Sequence, residues 1–258
     1  MTNTFKKTAI TAAKSAGAIL KKNIGNAHRI EFKGAIDIVT EMDRKAEDLI
    51  IKIIKNKFPE HGILTEESLE QKSDSEYRWI IDPLDGTTNY SHGFPVFCVS
   101  IALEKSGEGI ILGAVYNPML NELFTAEKNK GAYLNNKKIK VSDIKELTKS
   151  LLATGFPYDI RTSPDNNITH FANFAVRAQA IRRAGSAALD MCYVACGRID
   201  GFWEMKLKPW DTAAAWLIIK EAGGMVTGFN GKEFSFYSSE TLASNGLIHD
   251  EMIKALQG

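Results

Sequence analysis

Asp82 and Asp85 stand three residues apart in the run Trp79-Ile80-Ile81-Asp82-Pro83-Leu84-Asp85-Gly86-Thr87-Thr88-Asn89. Carboxylates suit hard, oxygen-seeking cations. Gly86 allows close approach of backbone, and Thr87, Thr88 and Asn89 are residues that start helices, whose free N–H groups suit a phosphate oxygen. The chemistry open to this run is to hold a cation and a phosphate side by side. The same residue types also make ordinary turns, so the run alone leaves both readings open.

The elements around it must deliver the acids. Trp79, Ile80 and Ile81 form an apolar, β-favouring run and predict a buried strand, which Pro83 is expected to stop because it lacks an N–H donor. A short strand over 61–65 would present Glu66 and Glu67 at its end; adjacent side chains point to opposite faces, so one of the two faces a site. Thr40-Glu41-Met42-Asp43 fits a capping box at the start of a helix that Pro59 ends, and its plain reading makes Asp43 the cap. Asp211 sits at a predicted helix start, where a carboxylate also complements the helix dipole. All these acids lie at the edges of elements, where layered α/β folds place ligands.

The chain has 258 residues and 44% hydrophobic content, enough for one large domain, 1–258, or two closely packed halves, 1–145 and 146–258. A net charge of +1 argues against a nucleic-acid face built on bulk charge. Cys98, Cys192 and Cys196 form no disulfide framework and no zinc spacing, and the cytoplasm is the expected compartment. The first thirty residues carry no acid, as in a transit peptide, but Phe5, Ala9, Ala13, Ala16, Leu20 and Ile24 recur at helical spacing and predict an amphipathic helix of the domain. No stretch is long and apolar enough to span a membrane.

The first half reads as helices followed by antiparallel strands: an arm over 29–39, strands over 95–104 and 110–116, and a meander over 122–126, 132–134 and 139–141. The second half alternates strands, over 151–156, 180–182, 199–204, 225–227 and 241–244, with helices over 165–178, 187–196, 210–222 and 248–256. That pattern predicts an α/β layer. The five histidines are scattered without ligand spacing and are expected to pack or face solvent; His92 is nearest the acids.

Several stretches together resemble the inositol monophosphatase family: the run 79–89, Trp210-Asp211-x-Ala213-Ala214, Thr65-Glu66-Glu67-Ser68, Asp37-x-x-Thr40-x-x-Asp43, Gly185-Ser186-Ala187-Ala188-Leu189-Asp190 and Asp200-Gly201-Phe202-Trp203-Glu204. They occur in the family's order and span nearly the whole chain. Ala215 departs from the pattern, standing where many members carry glycine. The resemblance implies an α+β or α/β fold, a layered αβαβα sandwich, and Mg²⁺-dependent hydrolysis of a phosphate monoester. It implies that Glu66, Asp82 and the Leu84 carbonyl hold a first Mg²⁺ and that Asp82, Asp85 and Asp211 hold a second. A third ion would lean on Glu66. Thr87, paired with Asp43, would orient the attacking water, a role compatible with capping because a carboxylate has spare lone pairs. Gly86 and Thr87 N–H groups would meet the phosphate. Gly185, Ser186, Ala187 and Glu204, with Asp85 and Asp211, would meet the substrate. The resemblance also implies lithium sensitivity and a homodimer.

Two cations would neutralise the phosphate, activate a water and stabilise the leaving oxygen, so no Ser or Cys nucleophile is required. The leading expectation is an inositol monophosphate phosphatase that accepts other polyol and sugar phosphates. Arg182, Arg183, Lys206 and Lys208 near the Glu204 rim leave open a fructose-1,6-bisphosphatase or a 3′-nucleotidase-like relative. An interaction protein with incidental catalysis is the third reading, disfavoured by the intact set Asp43, Glu66, Asp82, Asp85, Thr87 and Asp211.

Overall fold

A computed structural model describes residues 2–26, 30–32 and 38–258. Asp37 and most of the expected arm over 29–39 lie outside the described residues. In chain order the elements are α1 (Thr2–Asn23), β1 (Ile30–Phe32), β2 (Ile38–Thr40), α2 (Glu41–Lys55), β3 (Gly62–Thr65), β4 (Tyr77–Asp85) and α3 (Thr87–Ser91). They are followed by β5 (Cys98–Lys105), β6 (Gly109–Asn117), β7 (Glu122–Glu127), β8 (Ala132–Leu134) and β9 (Lys137–Lys138). The second half holds β10 (Leu151–Thr154), α4 (Ile168–Ala175), β11 (Ala180–Arg182), α5 (Ala187–Ala195), β12 (Gly201–Met205), α6 (Pro209–Glu221), β13 (Met225–Thr227), β14 (Glu240–Ser244) and α7 (His249–Gln257).

Two sheets result. Strands β3 to β9 form a seven-stranded sheet in sequence order, antiparallel except for the β3–β4 pair. The other sheet runs β11-β10-β12-β14-β13 and is mixed, with β10 parallel to both β11 and β12. Alternation along the strands sorts side chains into separate cores. Trp79, Ile81, Val99, Ile101 and Leu103 pack beneath α1 and α2 with Ala9, Ala13, Ala16, Leu20 and Ile50. Ile80, Cys98 and Ala102 point the other way, onto α5 and α6, whose far side meets Phe202 and Ala243 of the second sheet. Trp203, Leu152 and Leu242 pack beneath Phe174 of α4 and Met252 of α7. The order is therefore helices, sheet, helices, sheet, helices, the αβαβα sandwich. The short side chains of Ala213, Ala214 and Ala215, all fully buried, suit a helix pressed between two sheets.

The helix predicted from Phe5, Ala9, Ala13 and Ala16 is α1, packed into the first core. Four expectations need correction. The strand does not stop at Pro83; β4 continues to Asp85, because the ladder shifts register between Asp82 and Asp85, and a proline at such an irregularity takes no partner's acceptor away. The last meander strand is Lys137–Lys138, set by the left-handed turn Asn135-Asn136, rather than 139–141. The helix expected over 165–178 is only α4, since Asn167 is left-handed and starts it late. The strand expected from Pro95 begins at Cys98.

Candidate active site

The end of β4, the start of α3 and the N-termini of α5 and α6 converge on one cavity of about 440 Å³. Glu66, Asp82, Asp85, Asp211, Glu204 and Asp190 all line it. Gly86 supplies the joint between β4 and α3 at φ 100°, a left-handed conformation that a Cβ would strain. Asn89, on α3, donates to the Val96 carbonyl at 2.7 Å and the Ala184 carbonyl at 2.8 Å, fastening α3 to the turn that precedes α5.

Asp82, Asp85 and Asp211 each spend one oxygen on the backbone. Asp82 Oδ1 accepts from Leu84 N–H at 2.9 Å. Asp85 Oδ2 accepts from the Ser186 hydroxyl at 2.6 Å and from Ala188 N–H at 2.8 Å, at the first turn of α5. Asp211 Oδ2 accepts from Lys208 N–H at 2.7 Å, capping α6. The capping and dipole role read for Asp211 is thus present, and it consumes one oxygen of two. The other oxygen of each aspartate has no hydrogen-bond partner among the described residues.

These acids repel one another. Burial lifts Asp82 well above the usual carboxylate range, and the charges of Glu66, Asp85 and Asp211 add to it. Burial pushes Asp211 up to about 8, with the Asp85 charge next in weight. Asp85 is raised by burial against the opposing pull of Ser186, Ala188 and the Cys98 thiol. Such a set of hard oxygens, crowded and without a counter-cation, fits Mg²⁺ by its chemistry. Among the described residues no three acids, histidines or cysteines are gathered closely enough to enclose a cation by themselves. Mg²⁺ does not need that: it keeps several waters and takes one or two carboxylates together with substrate phosphate oxygens.

Beside the acids stands a second arrangement. Thr87 Oγ1 lies 2.8 Å from Asp43 Oδ1 and 3.0 Å from the Leu84 carbonyl. Asp43 Oδ2 meanwhile accepts from Thr40 N–H at 2.8 Å and the Thr40 hydroxyl at 2.6 Å. One oxygen caps α2 and the other reaches Thr87, so the cap and the Thr87 pairing coexist. Burial raises the Asp43 pKa despite these bonds.

Glu204, near the end of β12, faces the cavity across Gly155; a Cβ on that glycine would overlap the Glu204 carboxylate. Burial pushes Glu204 up to about 8, and the Asp190 charge adds to it. Gly185, Ser186, Ala187, Gly86 and Thr87 line the same cavity. Of the basic rim, Arg183, Lys206 and Lys208 line it and Arg182 does not. Lys206 is engaged with Asp159 at 2.6 Å and Ser163 at 2.9 Å. Glu66 lines the cavity, while Glu67 is bound through its N–H to Glu47 at 3.0 Å. His92 is exposed and does not line the cavity; His61 and His249 pack inside the protein. The sequence reading did not single out Cys98, whose thiol lies 3.7 Å from Asp85 Oδ2, or assign a role to Asp190. Asp190 stood in a quoted stretch; nothing in the spacing marked Cys98.

A layered sandwich with a carboxylate-rich cavity at the meeting of strand end and helix starts defines a phosphate-ester hydrolase. The inositol monophosphatase family model matches residues 1–258, and the chain belongs to that family; it is a phosphoric monoester hydrolase. It is 46% identical over 255 residues to the inositol-1-monophosphatase of Synechocystis, covering 98% of this chain and 88% of the relative. It is 46% identical over 240 residues to a Vibrio cholerae protein named Nus factor SuhB, covering 92% of this chain and 90% of the relative. The crystal structure of the extragenic suppressor protein suhB from Bartonella henselae superposes with a TM-score of 0.94 at 41% identity, covering 98% of each chain.

Proposed function

We propose that this protein hydrolyses inositol monophosphate, and other polyol or sugar monophosphates less well, to the free alcohol and inorganic phosphate, with Mg²⁺ required. The observation that carries this is the set Asp82, Asp85 and Asp211, each with one oxygen committed to backbone and one left over, around a single cavity. Asp82, Asp85, Asp211, Glu66 and the Leu84 carbonyl would hold two Mg²⁺ ions, with a third leaning on Glu66. When bound, the ions neutralise the phosphate, activate a water and stabilise the leaving oxygen.

The chain's own residues do the rest. Thr87, with its proton held toward Asp43 Oδ1, turns a lone pair to the attacking water and orients it. The water's oxygen bonds to phosphorus as the ester P–O bond breaks; the water gives up one proton, and the departing alkoxide takes one up to leave as the free alcohol, so the two transfers balance. The Gly86 and Thr87 N–H groups steady the phosphate oxygens. Glu204 and the Gly185-Ser186-Ala187 turn meet the hydroxyls of the leaving group. Three free cysteines suit the cytoplasm. Among the described residues no helix is long and apolar enough to cross a membrane. A homodimer without nucleic acid as a partner completes the reading.

The test is phosphate release from inositol 1-phosphate, fructose 1,6-bisphosphate and 3′-phosphoadenosine 5′-phosphate, each with Mg²⁺ and with EDTA. Release strongest from inositol 1-phosphate is expected. Preference for either bisphosphate would move the assignment to the Arg183 and Lys208 side of the cavity. A second role, as an interaction protein beside hydrolysis, is favoured by the name of the Vibrio cholerae relative. A catalytically dead variant that keeps a partner would support it.

A further inference from the structure

Two buried side-chain polar atoms lack a hydrogen-bond partner among the described residues, Asp190 Oδ1 and His170 Nδ1. Of these two residues only Asp190 lines the cavity. It belongs to the first turn of α5 and is 1% exposed. Helical side chains lean toward the helix N-terminus, so Asp190 leans toward the Ser186 end of α5, where the cavity opens. Glu204 lies near enough for the Asp190 charge to act on it, and the Glu204 side chain likewise has no hydrogen bond among the described residues.

Structure alone does not account for this carboxylate. A helix dipole contributes about 0.3–1 kcal/mol to an acid in the first turn. Leaving a buried polar group unsatisfied costs about 1–3 kcal/mol, and more for a charge. Arg183, exposed at the rim, attracts Asp190 from a distance but forms no ion pair with it. Asp85, on the same cavity, is anchored by the start of α5 in a way Asp190 is not, its Oδ2 accepting from the Ser186 hydroxyl and from Ala188 N–H. The deficit at Asp190 is one that a ligand carrying hydrogen-bond donors would fill.

We propose that Asp190 is a second specificity-determining carboxylate, which with Glu204 accepts hydroxyl protons from the polyol leaving group of the phosphate ester. This rests on the phosphomonoesterase reading above and extends it by setting Asp190 beside Glu204, two acids that hold no cation in that reading. The pair favours a leaving group with two hydroxyls on one side.

The experiment compares kcat and KM, with Mg²⁺, for inositol 1-phosphate and for phenyl phosphate, whose leaving group has no further hydroxyl. Wild type is set against Asp190→Leu and Asp190→Asn, with Tm recorded for each. Asp190→Leu should raise KM for inositol 1-phosphate about tenfold or more, leave kcat within about twofold and leave phenyl phosphate unchanged. Its Tm should hold or rise, since an unsatisfied carboxylate is gone. Asp190→Asn keeps an acceptor and should lose less, and it carries the test if the leucine variant does not fold. Unchanged KM for inositol 1-phosphate, equal losses on both esters, or a lowered Tm with both activities reduced would overturn the proposal. Wild type that cleaves phenyl phosphate alone would overturn it and leave the phosphatase standing. Wild type that cleaves neither ester would instead overturn the reading beneath it.

Discussion

On the side of the cavity built by α2, β4 and α3, the buried acids are tied down by the protein itself. Asp43 accepts from Thr40 with one oxygen and faces the Thr87 hydroxyl with the other, and Asp82 is held by the Leu84 N–H. On the side built by β12 and the interior of α5, Asp190 is buried with its Oδ1 unpartnered among the described residues, and Glu204 is half-buried with no side-chain hydrogen bond among them. Reaction geometry has to exist before substrate arrives, and the atoms proposed to position the water and phosphate are the ones fixed from within. Recognition of a leaving group can stay unsatisfied until the ligand completes it. The contrast separates groups that should affect turnover from groups that should affect substrate choice.

The largest effect is expected on the fixed side. Asp85→Asn removes the charge while keeping the shape, and phosphate release with Mg²⁺ should fall by at least about 10²-fold with Tm little changed. Wild-type turnover in that variant would break the assignment of Asp85 to a cation. Thr87→Ala should cost about 10²-fold in kcat. It should also lower stability by about 1–3 kcal/mol, because Asp43 Oδ1 loses its partner inside the protein. Denaturant melts alongside steady-state kinetics would show whether both losses appear.

On the open side the effects should be smaller and of another kind. Glu204→Gln should raise KM for a polyol monophosphate about tenfold with kcat nearly kept, and a pure kcat loss would place Glu204 with the reacting groups. Smaller still is a pH effect on the cation-free protein. Glu204 moves from its ordinary 4.5 to about 8 in the folded chain. Its contribution to stability is therefore fully present below about 4.5 and is lost as pH rises through about 8. Asp211, moved from 3.8 to about 8, acts in the same direction. Tm in EDTA should fall between pH 5 and pH 9. Glu204→Gln should make that fall shallower, and a Tm rising over this range would contradict the sign.

The two sides also differed in how readable they were from sequence. The fixed side is local: Asp82 and Asp85 with Gly86 and Thr87 fall in one run, and Thr40 to Asp43 announces its own cap. These short-range patterns carry their chemistry with them. The continuation of β4 through Pro83 was not legible, because a proline reads as a stop until the partner strand's register shift is known. The start of α4 was misplaced for a similar reason, since the left-handed Asn167 is fixed by contacts to Thr154, Gly155 and Trp203 rather than by its neighbours. Asp190 was beyond reach for a further reason: a missing partner is a property of the packed interior and leaves no mark on spacing. Cys98 lies against Asp85 only because β5 pairs with β4 at that register.

The central claim is that the crowded aspartates await a divalent cation. The most direct measurement is phosphate release from inositol 1-phosphate by the full chain, with Mg²⁺, after EDTA, and after Mg²⁺ is returned. Release that disappears in EDTA and comes back with Mg²⁺ is the predicted result. Release that persists undiminished in EDTA would contradict the account, and Asp82, Asp85 and Asp211 would then need another reason to share one cavity.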